Sequence, residues 1–129
     1  MIKKCRVTIT TAVDGRETTI VREGEMDFSS DGIQLIYREE NAATRICLKG
    51  ETATVERIGD YTMRLQLSRG ALTEGEIGIG GSSGPIQTLT HRVNYSTSEK
   101  SLLLSLHYDL LISGEVQKMQ IRLHSRFIQ

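Results

Sequence analysis

The chain has 129 residues and a mass of 14.4 kDa, with 16 basic and 16 acidic side chains. That length supports one domain, residues 1–129, and excludes a second core. The balanced charge excludes a bulk field favouring nucleic acid or an anionic membrane, so a charged partner has to be met locally.

Two cysteines, Cys5 and Cys47, form no C-x-x-C pair; a chain of this size needs no disulfide, and free thiols in a reducing compartment are expected. The opening MIKKCRVTITT is basic but alternates instead of running apolar. No apolar run approaches the roughly 20 residues of a membrane helix. These features point to a soluble, cytoplasmic protein without a membrane partner.

One proline, many β-branched residues and closely spaced turn dipeptides predict strands throughout. Residues 6–13 and 16–23 flank Asp14-Gly15, which suits a type I′ hairpin because both positions take positive φ. That turn puts Ile9 opposite Ile20 and Thr11 opposite Thr18, matching side chains on one face. Strands at 32–40, 43–49 and 52–58 follow, with Asn41-Ala42 and Gly50-Glu51 read as two-residue turns. Their inner face forms rows: Leu35, Leu48, Ala53; then Tyr37, Ile46, Val55; then a polar row of Glu39, Thr44 and Arg57. Alternation in 61–68 puts Tyr61, Met63, Leu65 and Leu67 inward, and a three-residue loop with Gly59 left-handed pairs Arg57 with Tyr61.

After a strand at 71–79, the segment GEIGIGGSSGP, residues 75–85, holds five of the twelve glycines. It lacks the lysine of a nucleotide-binding P-loop and the glycine spacing of a dinucleotide fingerprint, and an alternating strand follows it where both templates need a helix. It is read as a flexible strand connection or a bulge. Strands at 86–95 and 102–112 are set with Tyr95 opposite Leu102, which points His91 inward. A last hairpin at Ser113-Gly114 places Tyr108 against Met119 and Leu104 against Leu123. About eight to ten strands with nearest-neighbour hairpins and no covering helix predict an all-β fold: a single antiparallel, mainly up-and-down β-barrel, closed so that no edge is exposed. A two-sheet sandwich is the alternative.

The pattern Tyr37-x-Glu39, Thr44-x-Ile46 and Val55-x-Arg57-x-Gly59, with the Tyr108 strand, resembles the YwiB-like bacterial proteins. The likeness runs over most of the chain. It implies a calycin-like, lipocalin-like barrel and no particular activity. Where many members carry a Tyr-x-Thr-like pattern, this chain has Ile79, Gly80 and Gly81, so no binding role carries over to those positions.

Two surfaces stand out. The first is the inner row Glu39, Thr44, Arg57 and Tyr61, with Tyr37 beside it and His91 and Arg22 as extensions of the lining. An arginine inside a barrel needs a partner, so Arg57 is expected to pair with Glu39 or meet an anionic ligand; a structural ion pair closing the barrel end is the plainer reading. The second is the outer stripe of Lys118, Arg122, His124 and Arg126. It suits RNA or an acidic protein, although no aromatic ladder interleaves the charges as in single-strand binders. Outward Ile36, Leu103, Leu111 and Val116 suggest a homodimer contact. No nucleophile with a histidine partner, acid–base pair or metal-ligand cluster is spaced for catalysis, and no cofactor is implied. The functional expectation is a non-enzymatic barrel binding a small anionic or amphipathic ligand inside, near Arg57. The alternative is a protein or RNA interaction module using the basic outer strand.

Overall fold

The computed structural model describes residues 2–128 and contains ten strands. They are β1 (Ile2–Val13), β2 (Arg16–Ser29), β3 (Gly32–Glu39), β4 (Ala42–Lys49), β5 (Thr52–Ile58), β6 (Tyr61–Ser68), β7 (Leu72–Ile79), β8 (Ser82–Thr97), β9 (Ser101–Ile112) and β10 (Glu115–Phe127). Each pairs antiparallel with its chain neighbours, and β10 returns to pair with β1, closing an up-and-down barrel. Closure satisfies both edges of what would otherwise be an open sheet.

Strict alternation produces the core. In β9, Leu102, Leu104, Leu106, Tyr108 and Leu110 are all buried, while Leu103 between them is 54% exposed. Facing positions Leu35, Leu48, Leu65, Leu67 and Met26 have at most 1% of their surface exposed, so the interior is a packed cluster of side chains. Cys5 is buried, Cys47 half-buried, and both are free thiols.

The hairpin turns behave as local sterics dictate. Asp14 and Gly15 have φ of 50° and 87°, and Ser113 and Gly114 of 51° and 80°. Both are two-residue turns with positive φ, and their registers match the expected pairs Ile9–Ile20 and Tyr108–Met119. Asp14 also ties these hairpins together. Its N–H donates to the Lys118 carbonyl and its carboxylate accepts the Lys118 N–H, each at 2.9 Å.

Four features differ from the sequence reading. The β3–β4 turn is Glu40-Asn41, so Tyr37 faces Thr44 and Glu39 faces Ala42. Across β5–β6, Arg57 faces Met63 instead of Tyr61, and Gly59 is not left-handed. Its bare Cα instead lets the loop pack on Ala42, whose Cβ a Cβ on Gly59 would meet at 2.7 Å. Both registers are displaced by two residues, which leaves every side chain on its expected face. The glycine-rich segment is shorter as a loop than expected. Only Gly80 and Gly81 turn, with φ of 59° and 84°, while 82–85 already belong to β8.

The fourth difference moves a candidate residue and shifts the β8–β9 register, so that Tyr95 faces Leu104 instead of Leu102. In β8, Thr90 pairs with Tyr108 and Arg92 with His107, leaving His91 as a β-bulge. The bulge resets the alternation: Ile86, Thr88 and Thr90 are buried before it and Val93 after it, while His91 turns outward. His91 therefore does not line the interior. It is 54% exposed and bonded to Asp109 at 2.9 Å.

Candidate functional site

The hairpins 14–15, 40–41, 59–60, 80–81 and 113–114 share one end of the barrel, as up-and-down topology requires. The inner polar row lies there. Thr44 is the cross-strand partner of both Tyr37 and Arg57, and Tyr61 stacks on Arg57, whose guanidinium carbon is 3.9 Å from the ring centre. Arg57 does not pair with Glu39. It donates to Asp60 Oδ1 and to the Tyr61 carbonyl, each at 2.8 Å. A hairpin folds Asp60 back beneath a residue only three positions away, whereas Glu39 lies two strands distant.

The electrostatics follow from that geometry. Burial opposes the charge on Arg57, but Asp60, Tyr61 and Glu39 together hold its pKa above the ordinary value. Arg57 in turn lowers the pKa of Asp60. Burial raises the Tyr37 hydroxyl, with Thr44 pulling it back, and drives the Tyr108 hydroxyl far above the usual phenol range, reinforced by Tyr37 and Tyr61. This is a filled polar plug over an apolar core: Tyr37, Thr44 and Tyr108 are each less than 9% exposed and the Arg57 side chain 17%. Arg22, opposite Val7 as expected, is half-buried and spends one N–H on the Val21 carbonyl at 2.9 Å.

The outer wall of β1, β10, β9 and β8 is different in character. A depression of about 510 Å³ opens there, lined by Thr8, Thr10, Asn94, Ser96, Ser105 and Leu103, with Arg122 and His124 along it. A second depression, of about 370 Å³, shares Thr8 and His124 and continues toward Arg6 and Arg126. Registers explain the alignment. Arg6 pairs with Arg126, Thr8 with His124 and Thr10 with Arg122 across β1–β10, while Ser105 and Leu103 face Arg122 and His124 from β9. Arg122 bonds Glu17 at 3.0 Å. Among the described residues no carboxylate pairs with Arg6, His124 or Arg126. Half-buried His107, beside this surface, has its pKa lowered by burial first and then by Arg92, His91 and Arg122. Lys118, the remaining member of the stripe, lies beyond the grooves, opposite Asp109.

Formal neutrality conceals how the charges are divided. The contiguous wall built from residues 1–13 and 82–129 carries eight basic and three acidic side chains. Residues 14–81, the other side of the barrel, carry eight basic and thirteen acidic ones. Sequence reasoning found the stripe on β10 but missed Arg6, Thr8 and Thr10, because β1 and β10 become neighbours only on closure. The sequence signal for the His91 bulge was slight: Ile86 falls out of phase with Val93 and Tyr95, but Leu89 is in phase with them and Thr88 and Thr90 do not read as buried. Among the described residues, no three His, Cys, Asp or Glu side chains come together as metal ligands.

In overall shape the chain is similar to the crystal structure of the ywiB protein from Bacillus subtilis, with a TM-score of 0.85 over 99% of this chain and 94% of that one, at 16% identity. No functionally curated protein is detectably similar. The model for DUF1934, a domain of unknown function, matches residues 2–123. A ten-stranded barrel with this topology and a family match over nearly its whole length establish that the chain belongs to the DUF1934 family.

Proposed function

We propose that this protein is a non-enzymatic interaction module whose working surface is the basic outer face of β1, β8, β9 and β10. One observation carries the reading: a furrow of hydroxyl and amide side chains, with Arg122 held by Glu17 along it and Arg6 and Arg126 without an ion-pair partner among the described residues at one end, lies on the positive half of a molecule with no net charge. Such a surface attracts an anionic partner over the range of a Debye length while the opposite, acidic half repels it, which fixes the orientation of approach.

The interior ligand reading has less behind it. Packed side chains occupy the barrel interior, and Asp60 already occupies the Arg57 fork that an anion would use. The barrel-end row of Glu39, Thr44, Arg57 and Tyr61 acts as a structural closure in this account.

A photo-crosslinking residue at Ser105, inside the furrow, is expected to trap a partner in cells, and one at Gln66 on the opposite wall is not. Arg122→Ala with Arg126→Ala should abolish the Ser105 adduct while leaving the fold intact. Equal trapping from both positions, or trapping indifferent to the arginines, would remove the proposal. An adduct of twice the chain mass would assign the furrow to a second copy.

A further inference from the structure

We propose that the anion this face accepts is the phosphodiester backbone of a single-stranded nucleic acid, held first where Arg6, Arg126 and His124 converge. The inference rests on the interaction-module reading and names its ligand. Arg6 and Arg126 are direct cross-strand partners, and His124 is the next outward residue along β10. Like charges directly opposite on a sheet are destabilising. Glu23, the other cross-strand neighbour of Arg6, offsets part of this repulsion, but among the described residues no acidic side chain forms an ion pair with Arg6 or Arg126. A bound anion removes the repulsion, and a phosphate suits the site better than a carboxylate. It offers several acceptor oxygens to two planar guanidinium forks and a third donor at once.

The rest of the furrow repeats the same chemistry. Outward residues two apart on a strand are separated by about 6.8 Å, so Arg122, His124 and Arg126 present cations or donors at a regular step along an extended polyanion. Between them Thr8, Thr10, Asn94, Ser96 and Ser105 supply hydroxyl and amide groups that can meet sugar and phosphate oxygens. Among the described residues no aromatic of the furrow is free as a stacking platform: Tyr95, which borders it, packs against the core. Phe127, at the end of the furrow, already packs against Phe28 at 5.5 Å and lies under the Lys3 ammonium at 5.3 Å. Without base stacking, binding is indifferent to sequence and dominated by counterion release.

The test is fluorescence anisotropy of a labelled 12-nucleotide oligouridylate against the full chain, over a range of salt, with a glutamate-rich peptide of equal length alongside. Three arginine contacts, Arg6, Arg122 and Arg126, predict a slope of log affinity on log salt of roughly −2. Arg126→Ala should weaken binding about tenfold at low salt, the scale of one lost charge-assisted bond, and flatten the slope by roughly 0.7. Arg45→Ala, on the other side of the barrel, should leave both unchanged. Peptide binding that depends on Arg126, with no oligonucleotide binding, overturns the phosphate assignment and leaves the interaction module standing. Oligonucleotide binding unaffected by Arg126→Ala overturns the assignment as well. Binding of neither ligand at low salt overturns both.

Discussion

Thr90 is fully buried, and its hydroxyl has no hydrogen-bond partner. Leaving such a group unpaired costs about 1–3 kcal/mol, so Thr90→Val, which keeps the shape and deletes the hydroxyl, should raise the urea midpoint, whereas Thr90→Ala should lower it by opening a cavity. Arg57 behaves differently. Its stack on Tyr61 and its bond to the Tyr61 carbonyl are held inside the barrel end, while the Asp60 partner is 70% exposed. Arg57→Ala should therefore cost about 2–3 kcal/mol in chemical denaturation, and Asp60→Asn far less. His107 supplies a pH test. Its folded-state pKa lies below the unfolded value near 6.5, so the unfolded chain binds the proton first and stability falls as pH drops through that value. Denaturation midpoints measured from pH 7.5 to 5 should decline less steeply in His107→Gln than in the wild type.

The alternation of single residues was legible in the sequence. Pairing partners and long-range charge partners were less so. A period of two tells which face Tyr37, Glu39 and Arg57 occupy but not where along the neighbouring strand they land, which is why Tyr37 moved from Ile46 to Thr44 without changing sides. The hairpins at Asp14-Gly15 and Ser113-Gly114 were fixed by turn chemistry, and Gly50-Glu51 gave the observed Thr44–Arg57 pair. Asn41-Ala42 carries no comparable requirement for positive φ, and the left-handed Gly59 expected in Ile58-Gly59-Asp60 does not form, so those registers slipped, as did β8–β9, where Tyr95 faces Leu104. In β8 the bulge inverted the face of every residue on one side of it, and His91 was misplaced for that reason. Deleting His91 should be tolerated, because Thr90, Arg92 and Val93 then alternate without interruption against Tyr108, His107 and Leu106. Deleting Leu89 instead would invert the segment before the bulge and should unfold the barrel; circular dichroism and thermal melting of the two deletions distinguish the cases. At Gly24 the constraint is contact. A Cβ there would run into the Ile36 carbonyl across the β2–β3 ladder, so Gly24→Ala should destabilise even though an ordinary strand position favours alanine over glycine.

At the scale of the molecule, the barrel fills its interior with apolar side chains and distributes its charge unevenly outside. Composition alone excludes a bulk electrostatic field and leaves a charged partner to be met locally, since the basic and acidic counts cancel. The cancellation is global and not local: acidic side chains concentrate between residues 14 and 81, and barrel closure gathers β1 with β8–β10 into one positive wall. Arg6 and Arg126 lie 120 positions apart in the chain and become direct partners only in the closed sheet. This juxtaposition makes the furrow a surface that no single strand announces. It also separates the two places where the chain could act. The barrel-end row is satisfied by Asp60 and packed beneath tyrosines, and the furrow is open, with Arg6 and Arg126 forming no ion pair among the described residues. Amide chemical-shift mapping of the protein titrated with an oligouridylate at low salt tests that division most directly. The account predicts shifts confined to β1, β8, β9 and β10, strongest around Arg6, His124 and Arg126, with Tyr37, Thr44 and Arg57 unmoved. Shifts centred on Tyr37, Thr44 and Arg57, with the outer wall silent, would contradict it.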